Sequence, residues 1–351
     1  ADSSKASMTS LRDDFRSDTV TRPSAAMRQA MAAAEVGDDV FGEDPTVARL
    51  EATLAERLHK PAAVFMSSGT QANLAALLAH CGRGDAYVAG LLAHCYEHEQ
   101  GGAAWLGSIH PQPVAHQPDG TLALGDIAAV ITGGDDPHVP ATRLLALENT
   151  FQGRVMPPAW LAEATALARR HGLGTHLDGA RVFNAAVAGH VDVAEIARPF
   201  DTISVCLSKS LGAPVGTVLV GERELIGKAR RYRKALGGGM RQAGILAAAG
   251  LHALAHNVER LAEDHANARR LAEGLARISA LTVETPQTNI VWVAVPQDLA
   301  PAFAAFLAAE GIGVFGGYGN KRQRWVTHLD VDEAAVDRAV AAAERFFSRA
   351  G

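Results

Sequence analysis

The chain has 351 residues, 48% of them hydrophobic and 20% charged, with a formal net charge of −5. No basic tract exceeds a few residues, which argues against nucleic acid or an anionic membrane surface as a partner, and no apolar run reaches the roughly 18 residues that span a bilayer. The length fits a large domain with a smaller one, and an aromatic content of only 5%, with abundant Ala and Leu, points to helices packed on a sheet.

Residues 1–14 carry no apolar signal segment and read as a disordered leader or an expression remnant. From about residue 60 to 220, strand-like and helix-like segments alternate. Ala62–Ser67 reads as a buried strand, and Gly69-Thr70 opens a helix to about His80. Strands are predicted at Asp85–Ala89, Leu144–Leu147, Gly174–Leu177, Thr202–Leu207 and Thr217–Val220, with helices over Ala159–His171 and Glu222–Leu236. This alternation argues for an α/β fold with a mostly parallel sheet, and functional groups are then expected at the carboxyl ends of the strands. Two long helical patterns follow, Gln242–His256 and Val258–Ile278. Strands near Val283, Ile290–Ala294 and Trp325–His328, and helices over Ala302–Glu310 and Glu333–Ser348, complete the chain. The expected division is a large domain over 15–256 and a small α+β domain over 257–351. Three cysteines, Cys81, Cys95 and Cys206, show no metal-type spacing, so no metal site is expected. Their odd, low number fits a reducing compartment, and the cytoplasm is the expected location.

Three segments point to chemistry. In Cys206-Leu207-Ser208-Lys209-Ser210-Leu211-Gly212, an apolar strand runs into a lysine and a small-residue loop. Desolvation there lowers an amine's pKa and frees it to attack an aldehyde, although a surface lysine is the plain alternative. In Thr175-His176-Leu177-Asp178-Gly179-Ala180-Arg181, an acid ends a buried strand, where it calls for a charged partner such as a protonated pyridine ring, or Arg181 in a structural pair. In Ser67-Ser68-Gly69-Thr70-Gln71, small residues precede a helix and offer backbone N–H groups to an anion. A phosphate cradle, an acid and a lysine in that order form the arrangement of fold-type-I pyridoxal-5′-phosphate enzymes.

Further blocks sharpen this. They are Arg16-Ser17-Asp18-Thr19-Val20-Thr21, Gly37-Asp38-Asp39-Val40-Phe41-Gly42-Glu43-Asp44-Pro45-Thr46, Glu99-Gln100-Gly101-Gly102, Leu147-Glu148-Asn149-Thr150 and Gly237-Gly238-Gly239-Met240-Arg241-Gln242. With Val326-Thr327-His328-Leu329-Asp330, they run through nearly the whole chain from Phe15 onward. On these blocks the chain resembles the threonine aldolase family, low-specificity enzymes of L-threonine and L-allo-threonine. The resemblance implies a carbon–carbon lyase with pyridoxal phosphate as cofactor. It casts Lys209 as the cofactor lysine, Asp178 as partner of the ring nitrogen and His94 as the residue stacked on the ring. It assigns Gly69, Thr70 and Ser208 to the phosphate, with Lys234 and Arg241 reaching it from a neighbouring subunit of a homotetramer. That gives a purpose to the locally basic helix around Lys228–Lys234. Ser17, Arg181 and Arg324 are implied as substrate-carboxylate groups, with a neighbour of Arg324 in Lys321-Arg322-Gln323-Arg324 as an alternative. Arginine suits that task through its planar fork. The base at the β-hydroxyl is open between His94 and His138. The stretch Gly316-Gly317-Tyr318-Gly319 departs from the family pattern, and Phe41 stands where some relatives carry tyrosine, so a phenol there is not essential. The alternatives are an aminotransferase or β-lyase of the same fold type, and a cofactor-free homologue.

Overall fold

The structure, a computed structural model, describes residues 11–318 and 322–350. In chain order the elements begin β1 (Asp13–Asp14), α1 (Ala25–Ala32), α2 (Pro45–Arg57), β2 (Ala62–Met66), α3 (Gly69–His80), β3 (Ala86–Gly90), α4 (His94–Glu97), α5 (Gly102–Trp105) and β4 (His110–Val114). They continue α6 (Leu124–Val130), β5 (Thr142–Glu148), α7 (Pro158–Arg170), β6 (Gly174–Asp178), α8 (Val182–Gly189), α9 (Val193–Ala197), β7 (Thr202–Cys206), β8 (Thr217–Gly221), α10 (Arg223–Ala235) and α11 (Gly244–His256). The last are α12 (Leu261–Leu275), β9 (Thr282–Val283), β10 (Ile290–Ala294), α13 (Ala300–Ala309), β11 (Ile312–Gly313), β12 (Phe315–Tyr318), β13 (Arg322–Val326) and α14 (Glu333–Ala350).

The described residues form two compact units, one over 23–258 and one that joins 11–22 to the described residues from 259 onward. The larger unit is built on a seven-stranded sheet of order β2-β8-β7-β6-β5-β3-β4. All its neighbours pair in parallel except β8, which is antiparallel to both β2 and β7. Strands β3, β7 and β8 are buried at every residue, as expected where helices cover both faces. Their short, mostly apolar, β-branched sequences make them legible. β4 reads less clearly because Pro111 and Pro113 interrupt it, and it lies at the sheet edge, where a missing N–H is tolerated. α3 starts where the Ser68 side chain accepts a hydrogen bond from the Gln71 N–H. It is apolar nearly all round and almost wholly buried, with Ala72, Ala75, Ala76 and Ala79 against Val64, Met66 and Leu219 of the sheet.

The smaller unit holds a four-stranded antiparallel sheet of order β12-β13-β10-β9 and a two-residue parallel pair, β1 with β11. Its core gathers Phe15, Leu271, Leu275, Val291, Val293, Phe303 and Trp325. Two expectations differ from what is seen. Residues 11–22 belong with the C-terminal residues rather than with the larger unit: the Phe15 carbonyl accepts the Val326 N–H, and Arg338 grips the buried Asp13 carboxylate at 2.7 and 2.9 Å. The strand expected at Trp325–His328 instead runs Arg322–Val326, because Gln323 and Trp325 face inward while the alternating arginines stay partly exposed. Residues 1–10 of the expected leader, together with Gly319 and Lys321, lie outside the described residues.

Candidate active site

Six of the seven strands in the large sheet point the same way, so their carboxyl ends share one edge. Along that edge Met66 pairs with Thr217, Thr217 with Cys206, Ser204 with Asp178 and Asp178 with Glu148. Asp178 ends β6. Lys209 stands three residues beyond β7, Gly69 three beyond β2 and His94 four beyond β3. Topology therefore brings together residues that are far apart in sequence.

Asp178 is buried, and its donors are neutral: Asn73 Nδ2 at 2.8 Å and the Ala180 backbone N–H at 3.0 Å. The same Asn73 Nδ2 donates to Glu99 Oε1 at 2.8 Å, and Glu99 Oε1 lies 2.8 Å from His94 Nδ1. His94, Glu99 and Asp178 each bring a polar atom within 4.8 Å of the others. The Glu99 hydrogen bond holds the His94 imidazolium above its usual range, and burial raises Glu99 itself. Glu148 accepts the His94 backbone N–H at 3.1 Å, and burial, reinforced by the neighbouring Asp178 charge, pushes it up to about 7. The Lys209 ammonium is close enough to lower both His94 and Glu148. Lys209 and Arg181 line one small cavity together with Cys206 and Leu211. Gly179 is required here, since a Cβ would stand 2.7 Å from the Ser204 carbonyl oxygen.

At the start of α3, the Ser67 N–H and hydroxyl both bond the Gln71 side-chain oxygen. Gln71 also bears on Gly238, where a Cβ would meet its amide at 2.3 Å. Arg233, a residue the sequence reading passed over, is buried beneath this turn. It donates to the Phe65 carbonyl at 2.8 Å and pairs with Asp39 at 2.7 Å. One basic residue of α10 is thus an internal tie rather than part of a solvated face. Lys234 and Arg241 are exposed on their own chain, Arg241 pairing with Asp38 at 3.2 Å.

His138 is not brought to this cluster by its own chain. His138 lies before β5, whose seven residues run roughly 20 Å from that end to Glu148. Its side chain is 87% exposed and bonds Asp136 at 2.8 Å, so the chain does not carry it to its own Asp178. Ser17 and Arg324 belong to the smaller unit. Ser17 caps a short turn by accepting from Thr19, and Arg324 donates to the Arg16 carbonyl at 3.3 Å. Glu99 and Asn73 were missed as site residues. Glu99 was visible only as part of a block, and nothing in the sequence tied Asn73 to Asp178.

The donor set fits pyridoxal phosphate. A buried carboxylate with neutral donors suits a cationic ring nitrogen. A twelve-residue helix begins at Gly69-Thr70, and beside it Thr217 Oγ1 is buried with no hydrogen-bond partner. At the same edge Asn149 Nδ2 and Thr150 Oγ1 are also buried without partners. The His94 side chain, 42% exposed, is fixed through Nδ1 and leaves ring surface for stacking.

The beta-eliminating lyase family matches residues 14–298. A protein of Escherichia coli (strain K12) named low specificity L-threonine aldolase is 49% identical, covering 96% of this chain and 99% of its own length. A probable low-specificity L-threonine aldolase 2 of Arabidopsis thaliana is 46% identical over 95% of this chain and 97% of its own. Among solved structures, a Leishmania major threonine aldolase superposes with a TM-score of 0.82 at 24% identity, over 95% of this chain and 99% of that one. The chain belongs to the threonine aldolases, pyridoxal-phosphate-dependent carbon–carbon lyases with the fold-type-I architecture.

Proposed function

We propose that the chain cleaves L-threonine, L-allo-threonine and related β-hydroxy-α-amino acids, aryl ones such as phenylserine included, reversibly to glycine and an aldehyde. The observation that carries this reading is the buried Asp178 at a strand end, which accepts from the neutral donors Asn73 and Ala180, with His94 and Lys209 beside it. Bound pyridoxal phosphate supplies the electron sink for the pair released when the Cα–Cβ bond breaks. Lys209 holds the cofactor, Asp178 faces its ring nitrogen, and Gly69, Thr70 and Ser208 take its phosphate. His94 packs against the ring. Its Nδ1 is engaged by Glu99, so Nε2 is the atom that exchanges a proton near the β-hydroxyl, and the Glu99 carboxylate stabilises the imidazolium that results.

Arg181, Ser17 and Arg324 are the proposed carboxylate-binding groups. Lys234 and Arg241 are proposed to serve the phosphate of a neighbouring copy in a homotetramer, and His138 could reach a β-hydroxyl only from such a copy. A cytoplasmic location is in keeping with three cysteines that are all free and buried. Among the described residues no helix is long and apolar enough to cross a membrane. The test is to supply L-threonine to the purified protein and measure acetaldehyde and glycine. Equal amounts of the two are expected. A keto acid or ammonia in their place would mark an aminotransferase or β-lyase.

A further inference from the structure

Behind the site runs a chain of hydrogen bonds that ends on Asp178 and Glu99. Asn73, 1% exposed, uses all of its side chain: Nδ2 serves Asp178 and Glu99, while Oδ1 receives Ser204 Oγ at 2.8 Å and His176 Nε2 at 3.1 Å. His176 Nδ1 lies 2.9 Å from Thr202 Oγ1, which lies 2.9 Å from His80 Nε2. The geometry follows from period. His176 and Asp178 share one face of β6, Thr202 and Ser204 are their register partners on β7, and Asn73 and His80 are two turns apart on α3.

Every proton in this chain has one permitted place. Asn73 Oδ1 can only accept, so His176 carries its hydrogen on Nε2. Burial lowers His176 to about 3 and His80 to about 4, so both rings are neutral at pH 7. His176 Nδ1 must then accept, the Thr202 hydroxyl must donate to it, and His80 must donate to Thr202. A reversed Asn73 amide would turn its oxygen toward two carboxylates, and the His176 donor opposes that reversal.

We propose that His176, held in one tautomer by Thr202, is a positioning residue that fixes the Asn73 amide and through it aims the Asp178 carboxylate at the cofactor ring nitrogen. This rests on the reading that Asp178 faces that nitrogen. Losing one such directed bond to a charged group costs about tenfold in an equilibrium. The loss should appear only for a ligand that has the nitrogen.

The test strips the full-length chain of cofactor. It then measures the dissociation constants of pyridoxal phosphate and of its deaza analogue, in which carbon replaces the ring nitrogen. Wild type should prefer pyridoxal phosphate. In His176→Phe that preference should shrink by about tenfold with affinity for the analogue unchanged, and His176→Gln, which returns an N–H near the lost one, should restore it. Thr202→Val should shift the preference the same way, and it carries the test alone if His176→Phe does not fold. A preference unchanged in both variants overturns the proposal. A wild-type protein with no preference overturns instead the assignment of Asp178 to the ring nitrogen.

Discussion

Helix α12 of the smaller unit buries Asp264 and Asn267, and both are answered by groups of simple structural purpose. Arg260, one turn earlier, pairs with Asp264 at 2.6 Å, and Asn267 donates to the Val331 carbonyl at 3.0 Å. Helix α3 of the larger unit buries Asn73, whose partners are all side chains, 26 to 131 residues away. The first pattern ties a helix to its own surroundings. The second sets the relative positions of groups from different elements, which is what holding a reactive geometry requires. Both helices bury polar residues, so burial alone does not mark a site. The identity of the partner does.

Paired substitutions test that distinction. Asp178→Ala should lower kcat/KM by about 10²–10³-fold, as loss of one preorganised charge interaction does. Asp264→Ala should leave turnover per folded molecule within about threefold and instead lower stability by about 1–3 kcal/mol, since Arg260 keeps only its longer contact with Glu263 at 3.7 Å. Denaturant titration beside kinetics reads both, and an equal loss of turnover in the two variants would erase the contrast.

A second pair concerns protons. Because the Glu99 bond is the main reason His94 is raised, Glu99→Gln should move the His94 titration midpoint downward in an NMR pH series. A midpoint that stays or rises contradicts the pairing. The buried histidines act on stability instead. His80, lowered to about 4, and His176, lowered to about 3, bind fewer protons folded than unfolded, where the ordinary value is 6.5. They therefore make stability fall as pH drops below 6.5. Glu148 works in the opposite sense: raised from 4.5 to about 7, it lets stability decline as pH rises through that range. His176→Phe should flatten the acid limb of a stability-against-pH curve, and an unflattened limb would mean that His176 is not buried neutral.

The smallest effects come from glycines. A Cβ on Gly174 would stand 2.5 Å from His80 Nδ1, so Gly174→Ala should cost roughly 1–3 kcal/mol by displacing the outer end of the network. Gly125 on α6 has open space around it, and Gly125→Ala should stabilise by roughly 0.5 kcal/mol. Thermal unfolding of the two variants should move in opposite directions.

Much of this was legible in the chain. The strands of the large sheet other than β4 stand out as short, mostly apolar runs, with Asp178 at the end of one and Lys209 just beyond another. The Gly37–Thr46 block was legible as a family mark but not for its physical work. Asp38 caps a turn, Asp39 pairs with buried Arg233, and Asp44 accepts the N–H groups of Gly37, Thr46, Val47 and Gly244. The network of Asn73, Glu99, Glu148 and His176 was not legible, because sheet register and two turns of α3 create it, and no local pattern records either. His138 is the converse case: a histidine in a polar loop carries no sign of which sheet edge the loop occupies.

The most direct test of the account concerns Lys209. The purified protein, loaded with pyridoxal phosphate and reduced with borohydride, should yield on digestion one pyridoxyl-labelled peptide, with the label on Lys209 by mass spectrometry. A label on another lysine, or no label on a protein that still binds the cofactor, would contradict the assignment on which the site is built.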